Sequence, residues 1–410
     1  MLGLIEVLVP VAGVLLTVVG VGLVGLSAYL LALTLAAIGA HVALPVRARL
    51  APPRPGPAER RFAILVPAHD EELVIGRLLG SLGGLDYPGD RFDVCVVADN
   101  CTDATATIAR AAGARVYERV SQTERAKGFA LRWLLERLHA EGRAYDAFVV
   151  LDADTVVEPE LLRRLDARLE SGSQAIQVYY TVLNARASAV AGLRFAALAA
   201  LHYLRPLGRA RLGLSCGLKG NGMCFAAPVL DRFAWQWFTL AEDVEFHLAL
   251  IRAGIRVDFA WETAVRADMP VTLQQARTQN ARWERGRLQL LRSHVPRLLL
   301  DGVRQRSLLR IDAAIEQLIP PLSVPVLLSG LCLVVSLACG LGTAAALAGL
   351  SLVLLVGYLT AGLLLVRAPW RAYLALGSAP LYIAWKVGLY GQSLVSARAG
   401  AWIRTARVPQ

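Results

Sequence analysis

Ala147-Phe-Val-Val-Leu-Asp-Ala-Asp154 is a short apolar run that ends in two carboxylates set two residues apart. Such a run, bounded by polar residues, reads as a strand buried on both faces. Working outward, Phe62-Ala-Ile-Leu-Val-Pro67, Asp93-Val-Cys-Val-Val-Ala98 and Arg115-Val-Tyr-Glu118 repeat the pattern, and helical periodicity at about 71–83, 103–112 and 125–140 separates the runs. Strands alternating with helices predict an α/β domain on a parallel sheet. Residues 175–183 read as a further strand. The alternation then gives way to a helical segment near 187–210, a Gly-rich passage at 217–222, and helices at about 242–253 and 271–295. Ligands of such sheets bind at the carboxyl ends of the strands. Glu71, Asp99 and Asp152 sit just past three of those ends.

Alternate residues at a strand's end project into one cleft, so Asp152 and Asp154 form a pair of hard oxygen donors suited to Mg²⁺ or Mn²⁺. The bland alternative is that they cap a helix starting near Glu158. A second acidic pair, Glu242-Asp243, opens an amphipathic helix, where capping is again the alternative. Gln279-Asn-Ala-Arg282-Trp283, inside the basic stretch 277–292, sets a cation beside an indole; the bland reading is a helix resting on anionic headgroups. Gly20-Val-Gly-Leu-Val-Gly25 satisfies GxGxxG but lies in an uncharged run with no strand before it, so it is no dinucleotide site. The chain has no Walker motif and no GxSxG, which counts against kinase, ATPase and serine hydrolase readings. Its six Cys and six His show no CxxC, HxH or HxxxH spacing, so a zinc site is not expected.

The charge is divided unevenly. The chain has 43 Lys and Arg against 32 Asp and Glu, net +11, yet residues 7–46 and 317–366 carry no charge at all. Residues 47–316 hold charge at about one residue in four, the density of a water-soluble domain. A soluble domain between hydrophobic ends excludes both an ordinary cytosolic enzyme and an all-membrane transporter. The first uncharged run predicts one span at roughly 10–35. The second predicts two, about 319–339 and 343–366, since each needs about 20 apolar residues. Arg47, Arg49, Arg54, Arg60 and Arg61 follow the first run and place the domain in the cytoplasm by the positive-inside rule. Lys386 interrupts 372–396, which reads as interfacial, with a basic tail (Arg398, Arg404, Arg407) in the cytoplasm; a third full span is the alternative.

In this order the motifs resemble the membrane-integrated branch of family 2 of the glycosyltransferases, the group of cellulose, chitin, hyaluronan and poly-N-acetylglucosamine synthases and ceramide glucosyltransferases. The elements are Val66-Pro-Ala-His-Asp-Glu-Glu72, Val97-Ala-Asp-Asn-Cys-Thr-Asp103, Ala126-Lys-Gly128, Asp152-Ala-Asp154, Ala241-Glu-Asp243 and Gln279-x-x-Arg282-Trp283. Asp70, Ala98 and Ala241 depart from the usual Asn, Asp and Thr. The resemblance implies a GT-A (Rossmann-like) domain at 47–300 flanked by a transmembrane helix at 1–46, an interfacial segment at 301–318 and transmembrane helices at 319–366. Pro67, Ala68, Glu71 and Asp99 would meet the base and ribose of a nucleotide sugar, a UDP-sugar by expectation. Lys127 would approach the diphosphate, and Asp154 with Asp152 would hold Mg²⁺ or Mn²⁺. Asp243 would be the general base; Gln279, Arg282 and Trp283 would line the acceptor and diphosphate site, beside a small-residue turn at Gly220-Asn-Gly222.

The implied activity is inverting transfer to a hydroxyl, giving a β-linked cell-surface polysaccharide or glycolipid at the inner membrane of a bacterium. Single transfer to a lipid and a non-catalytic subunit of a synthase complex stay open as alternatives. Polymer synthesis would call for an export partner or a homo-oligomer. Membrane lipids are expected partners and nucleic acid is not.

Overall fold

Phe62–Ala68 (β1) is buried at every position but Pro67, because helices cover both faces of the sheet it centres. The computed structural model describes residues 2–42, 53–239 and 241–395. The remaining strands are β2 (Phe92–Asp99), β3 (Arg115–Arg119), β4 (Ala147–Val150), β5 (Thr155–Val157), β6 (Ala175–Val182), β7 (Met223–Ala226) and β8 (Val257–Ala267). They form one eight-stranded sheet in the order β3-β2-β1-β4-β7-β6-β8-β5. Only the first half is parallel throughout. β7 runs antiparallel to both β4 and β6, and β5 antiparallel to β8, so the expected parallel sheet is a mixed one.

The helices over this sheet bury one stripe each. Ile75–Gly83 turns in Ile75, Leu78, Leu79 and Leu82, at the three- and four-residue spacing of a helix face. It starts later than the sequence suggests, because Glu71 to Val74 form a turn. Between 189 and 211 the expected single helix is divided into Ala189–Leu198, a π-helical segment Ala199–Leu204, and Arg205–Arg211. Pro206 has no amide hydrogen to return to the carbonyl four residues back, which loosens the turn just before it.

The ends are apolar helices. Pro10–Gly39, within the helix Leu2–Val42, has 30 residues of mean hydropathy 2.3, and Gly342–Leu365 has 24 of mean hydropathy 2.1. The expected span at 319–339 is a 16-residue helix, Ser323–Ala338, about 24 Å long at 1.5 Å per residue and short for a bilayer core on its own. It is bent by 65° from Leu308–Leu318 across Pro320 and Pro321. Ser351 Oγ bonds Ser27 Oγ and Ser329 Oγ at 2.9 Å each, tying the three helices together. Gly208 lets helix Arg205–Arg211 touch the first apolar helix backbone to backbone; a Cβ there would stand 2.3 Å from the Leu33 carbonyl oxygen. The 372–396 segment is helical over Trp370–Ala375 and Ala379–Val395, and the latter packs on Leu273–Ser293. There Lys386 Nζ lies 3.9 Å from Glu284 Oε1, which gives the cation that interrupts the apolar run a buried partner. Arg47, Arg49 and the basic tail, used above as topology signals, lie outside the described residues.

Candidate active site

The loops after β1 and β2 hold each other in place. Asp70 and Asn100 both have positive φ (53° and 51°), a conformation that Asp and Asn tolerate better than most residues, so Asp in place of the family's usual Asn at 70 fits the backbone. Asp70 Oδ1 accepts from the Thr102 amide at 2.7 Å, Thr105 Oγ1 accepts from the Glu71 amide at 2.7 Å, and His69 Nδ1 lies 2.7 Å from the Asp99 carbonyl oxygen. Asp99 is buried and its Oδ1 accepts from Arg119 Nη1 at 2.7 Å; Arg119 in turn meets Glu124. Arg119 was not visible in the sequence as a site residue. Asp70, Cys101 and Asp103 come within ligand distance of one another, but their carboxylates are engaged by the amides of Thr102, Thr105 and Glu72.

The second group gathers at the end of β4. Asp152 and Asp154 do not cap a helix, because β5 intervenes and the next helix is Leu161–Glu170. Lys127 Nζ donates to Asp152 Oδ1 and to the Gly220 carbonyl oxygen. The net effect of its surroundings is to raise Lys127 above the ordinary lysine range: burial pulls it down, but Asp152 and Glu242 more than offset this. Gly128 follows for a packing reason, since a Cβ there would stand 2.1 Å from the Trp237 carbonyl oxygen. Asn221, buried in the Gly220–Gly222 turn, accepts from the Asp152 amide and from Thr155 Oγ1 at 3.2 Å each, and so carries the carboxylate loop.

Glu242 and Asp243 open the helix Glu242–Arg252. Placing acids in a first turn suits the helix dipole, and the Val244 amide donates to Asp243 Oδ1 at 2.9 Å. Burial also crowds the two carboxyls. Glu242 is pushed up to about 7 by burial and by Asp243, and Asp243 is raised by burial in spite of its amide partner and two lysines, Lys127 and Lys219.

Gln279 and Trp283 lie on Leu273–Ser293; the Arg282 side chain lies outside the described residues. Arg194, from Ala189–Leu198, donates to Gln279 Oε1 and stacks over the Trp283 indole at 5.2 Å from its centroid. No sequence signal marked Arg194, which is 85 positions from Gln279. Trp283 nevertheless keeps 38% of its surface exposed. Arg194→Ala is expected to lower kcat about 10-fold or more through loss of one charge-assisted hydrogen bond and one cation–π contact, with Arg194→Lys recovering part of it. A rise in donor KM alone, at unchanged kcat in steady-state assays, would contradict that positioning role.

One cavity of about 420 Å³ brings these groups together: Pro67, Ala68, Glu71 and Asp99, Lys127, Asp152 and Asp154, and Glu242, Asp243, Gln279 and Trp283 all line it. A model described as glycosyltransferase like family 2 matches residues 57–286, which contain every one of these side chains. The chain belongs to glycosyltransferase family 2. This family 2 enzyme is 29% identical over 230 residues to the beta-monoglucosyldiacylglycerol synthase of Synechocystis sp., covering 54% of this chain and 46% of that protein. It is 25% identical over 235 residues to the probable glycosyltransferase YdaM of Bacillus subtilis, covering 55% of each. The chain thus spans about half the length of the curated relatives it matches. Among solved structures, a mannosyltransferase from Pyrobaculum calidifontis in complex with GDP-Man and Mn²⁺ matches with a TM-score of 0.54, at 18% identity, over 91% of this chain and 100% of that one. The likeness establishes the GT-A fold of this glycosyltransferase.

Proposed function

We propose that this glycosyltransferase moves a sugar from a nucleotide sugar, a UDP-sugar, to the hydroxyl of a membrane-borne acceptor at the cytoplasmic face, inverting the anomeric centre to give a β-linked product. The observation that carries the reading is the single cavity in which acidic strand ends, Lys127, Asp243, Gln279 and Trp283 converge. Glu71 and Asp99 would meet the base and ribose. The acceptor oxygen attacks C1, its proton passes to Asp243, and the C1–O bond to the diphosphate breaks with its electron pair leaving on the diphosphate. Lys127 and Arg282 would face the negative charge that gathers there.

Asp152 and Asp154 fit a divalent cation. They offer only oxygen, and Asp152 already engages a cationic group, the Lys127 ammonium. Two carboxylates with water and substrate phosphates make up the usual shell of Mg²⁺ or Mn²⁺. When bound, the ion adds charge stabilisation to the departing diphosphate.

A single transfer to lipid is favoured over an exported polymer. Ser27, Ser329 and Ser351 bond one another and Tyr358 donates to the Ala200 carbonyl oxygen, so these polar groups of the apolar helices are spent on packing. The glucosyldiacylglycerol synthases among the relatives point the same way.

The test is a screen of nucleotide sugars with the purified full-length protein in vesicles, scored as nucleoside diphosphate release with Mg²⁺ or Mn²⁺; no release from any donor would sink the proposal. The same assay gives the pH dependence. Asp243 works as the ionised form, and its raised pKa means that the proton returns at a higher pH than for an ordinary carboxylate. The acid limb of kcat/KM is therefore expected above the usual carboxylate range near pH 4, so that activity rises with pH across the mildly acidic region. A limb at or below pH 4 would contradict the buried base.

A further inference from the structure

We infer that Lys219 forms an anion subsite for the acceptor, so that the hydroxyl presented to Asp243 belongs to a molecule that also carries a phosphate or carboxylate. The inference rests on the reading of Asp243 as the base and adds the chemical class of the acceptor.

The turn that carries Lys219 is rigidly built. Its amide donates to Gln177 Oε1 at 2.8 Å, and Gln177, itself 1% exposed, donates through Nε2 to the carbonyl oxygens of Val178 at 2.8 Å and Asn221 at 2.7 Å. Gly217 and Gly220 bracket it at φ of 80° and 77°. The bareness of both glycines matters. A Cβ at Gly220 would lie 3.3 Å from Asp243 Oδ2, and one at Gly217 would lie 3.5 Å from Lys219 Nζ. Neither glycine therefore sets a side chain against Asp243 Oδ2 or against the Lys219 ammonium.

The charges around Lys219 do not balance. Arg205, Arg209 and Glu316 are the charged groups that act on it most, and Asp243 feels it in turn. Glu316 is already committed to Arg205 at 3.2 Å and Arg209 at 2.6 Å, and Asp312 to Arg209. His202 and His247, which also face it, are held neutral, each pushed down to about 3 by burial and nearby cations. Arg205, Arg209 and Lys219 thus share Asp312 and Glu316, Asp243 acts on Lys219 without bonding it, and among the described residues Lys219 Nζ makes no hydrogen bond or ion pair. An uncompensated charge in such surroundings is costly, and an anion brought by the substrate offsets the cost.

The position assigns that anion to the acceptor. Asp243 feels two lysines: Lys127, bonded to Asp152 on the side of the proposed metal, and Lys219, set among Gly217, His247 and Glu316. The donor diphosphate has Lys127 and the carboxylate-bound cation. The cavity that Lys219 lines also takes in Leu218, Leu290 and Gln317, the last two from the helices Leu273–Ser293 and Leu308–Leu318.

The test uses the purified full-length protein with its active donor and three acceptors: phosphatidylglycerol in phosphatidylcholine vesicles, glycerol 3-phosphate in solution, and diacylglycerol in vesicles whose surface charge is matched with phosphatidic acid. The wild type is expected to favour a phosphate-bearing acceptor over diacylglycerol by about 10- to 100-fold in kcat/KM. Lys219→Met is expected to erase that ratio and Lys219→Arg to keep it. Use of phosphatidylglycerol alone assigns the anion to a lipid headgroup, and equal use of glycerol 3-phosphate assigns it to any phosphate ester; both support the subsite. Preference for diacylglycerol, or a ratio unchanged in Lys219→Met, overturns it and leaves the glycosyltransferase reading standing. Consumption of no donor with any acceptor overturns that reading, and the subsite with it.

Discussion

Asp243→Asn is expected to lower sugar transfer about 10²- to 10⁴-fold, the usual worth of a positioned general base, while the nucleotide still binds. The substitution is nearly isosteric. Asn retains an oxygen to accept from the Val244 amide, so the helix start is preserved, and it loses only the capacity to take the acceptor's proton. It also removes one of two crowded carboxyls, which relieves the pressure on Glu242. Titration with nucleoside diphosphate in the presence of Mn²⁺ separates binding from turnover. Turnover within a few-fold of wild type would exclude Asp243 as the base, and a parallel loss of nucleotide affinity would show that its role lies in the donor site instead.

Arg209→Ala carries the largest expected effect on stability. Arg209 is 1% exposed, donates through Nε to the Ser215 carbonyl oxygen at 2.7 Å, and serves both Asp312 and Glu316. Its removal takes from Asp312 its cationic partner and leaves Glu316 with Arg205 alone, a loss of about 3–5 kcal/mol. Thermal unfolding in detergent should show a clearly lowered Tm. Replacing Arg209 and Asp312 together by apolar residues, with Glu316 left to Arg205, should recover most of the loss, since an intact buried pair is worth little against well-packed apolar residues. A single variant as stable as the wild type would mean that water reaches the network.

Which parts of this architecture can be read from the chain depends on how locally each is encoded. β1, β2 and β4 are apolar runs through most of their length, because a strand covered on both faces needs little that is polar, and β6 breaks its run only at the buried Gln177 and Thr181. β8 escapes the same reading. Its Asp258 and Glu262 are buried or half-buried through Arg168, about ninety residues away, at 2.7 Å each, so a core strand reads as a charged loop. β5 and β7 have three and four residues, too short for any periodicity. The antiparallel half of the sheet is lost with them.

The site divides along the same line. Glu71, Asp99, Asp152 and Asp154 stand out because strand ends place them, and Asp243 and Trp283 because motif spacing does. Arg119, Arg194, Asn221 and Lys219 act through partners fixed only by the fold. Capping was the bland explanation for Asp152 and Asp154, and a three-residue strand removes it. Lys386 argued against an inserted helix at 372–396; its partner Glu284 belongs to the helix that carries Gln279 and Trp283, a pairing that hydropathy alone does not contain.

The contact between Gly208 and Leu33 sets an order of events during synthesis. Among the described residues the first apolar helix packs most extensively on Gly342–Leu365 and Arg205–Arg211, and less on Ser323–Ala338. That helix, long and apolar enough to cross a membrane, therefore leaves the ribosome while β1 to β6 are still to be made, well before the surfaces that receive it exist. Assembly of the catalytic domain and its docking onto that helix are separable steps, and a chain stopped before residue 205 would leave the helix without the backbone contact at Gly208 and without Gly342–Leu365.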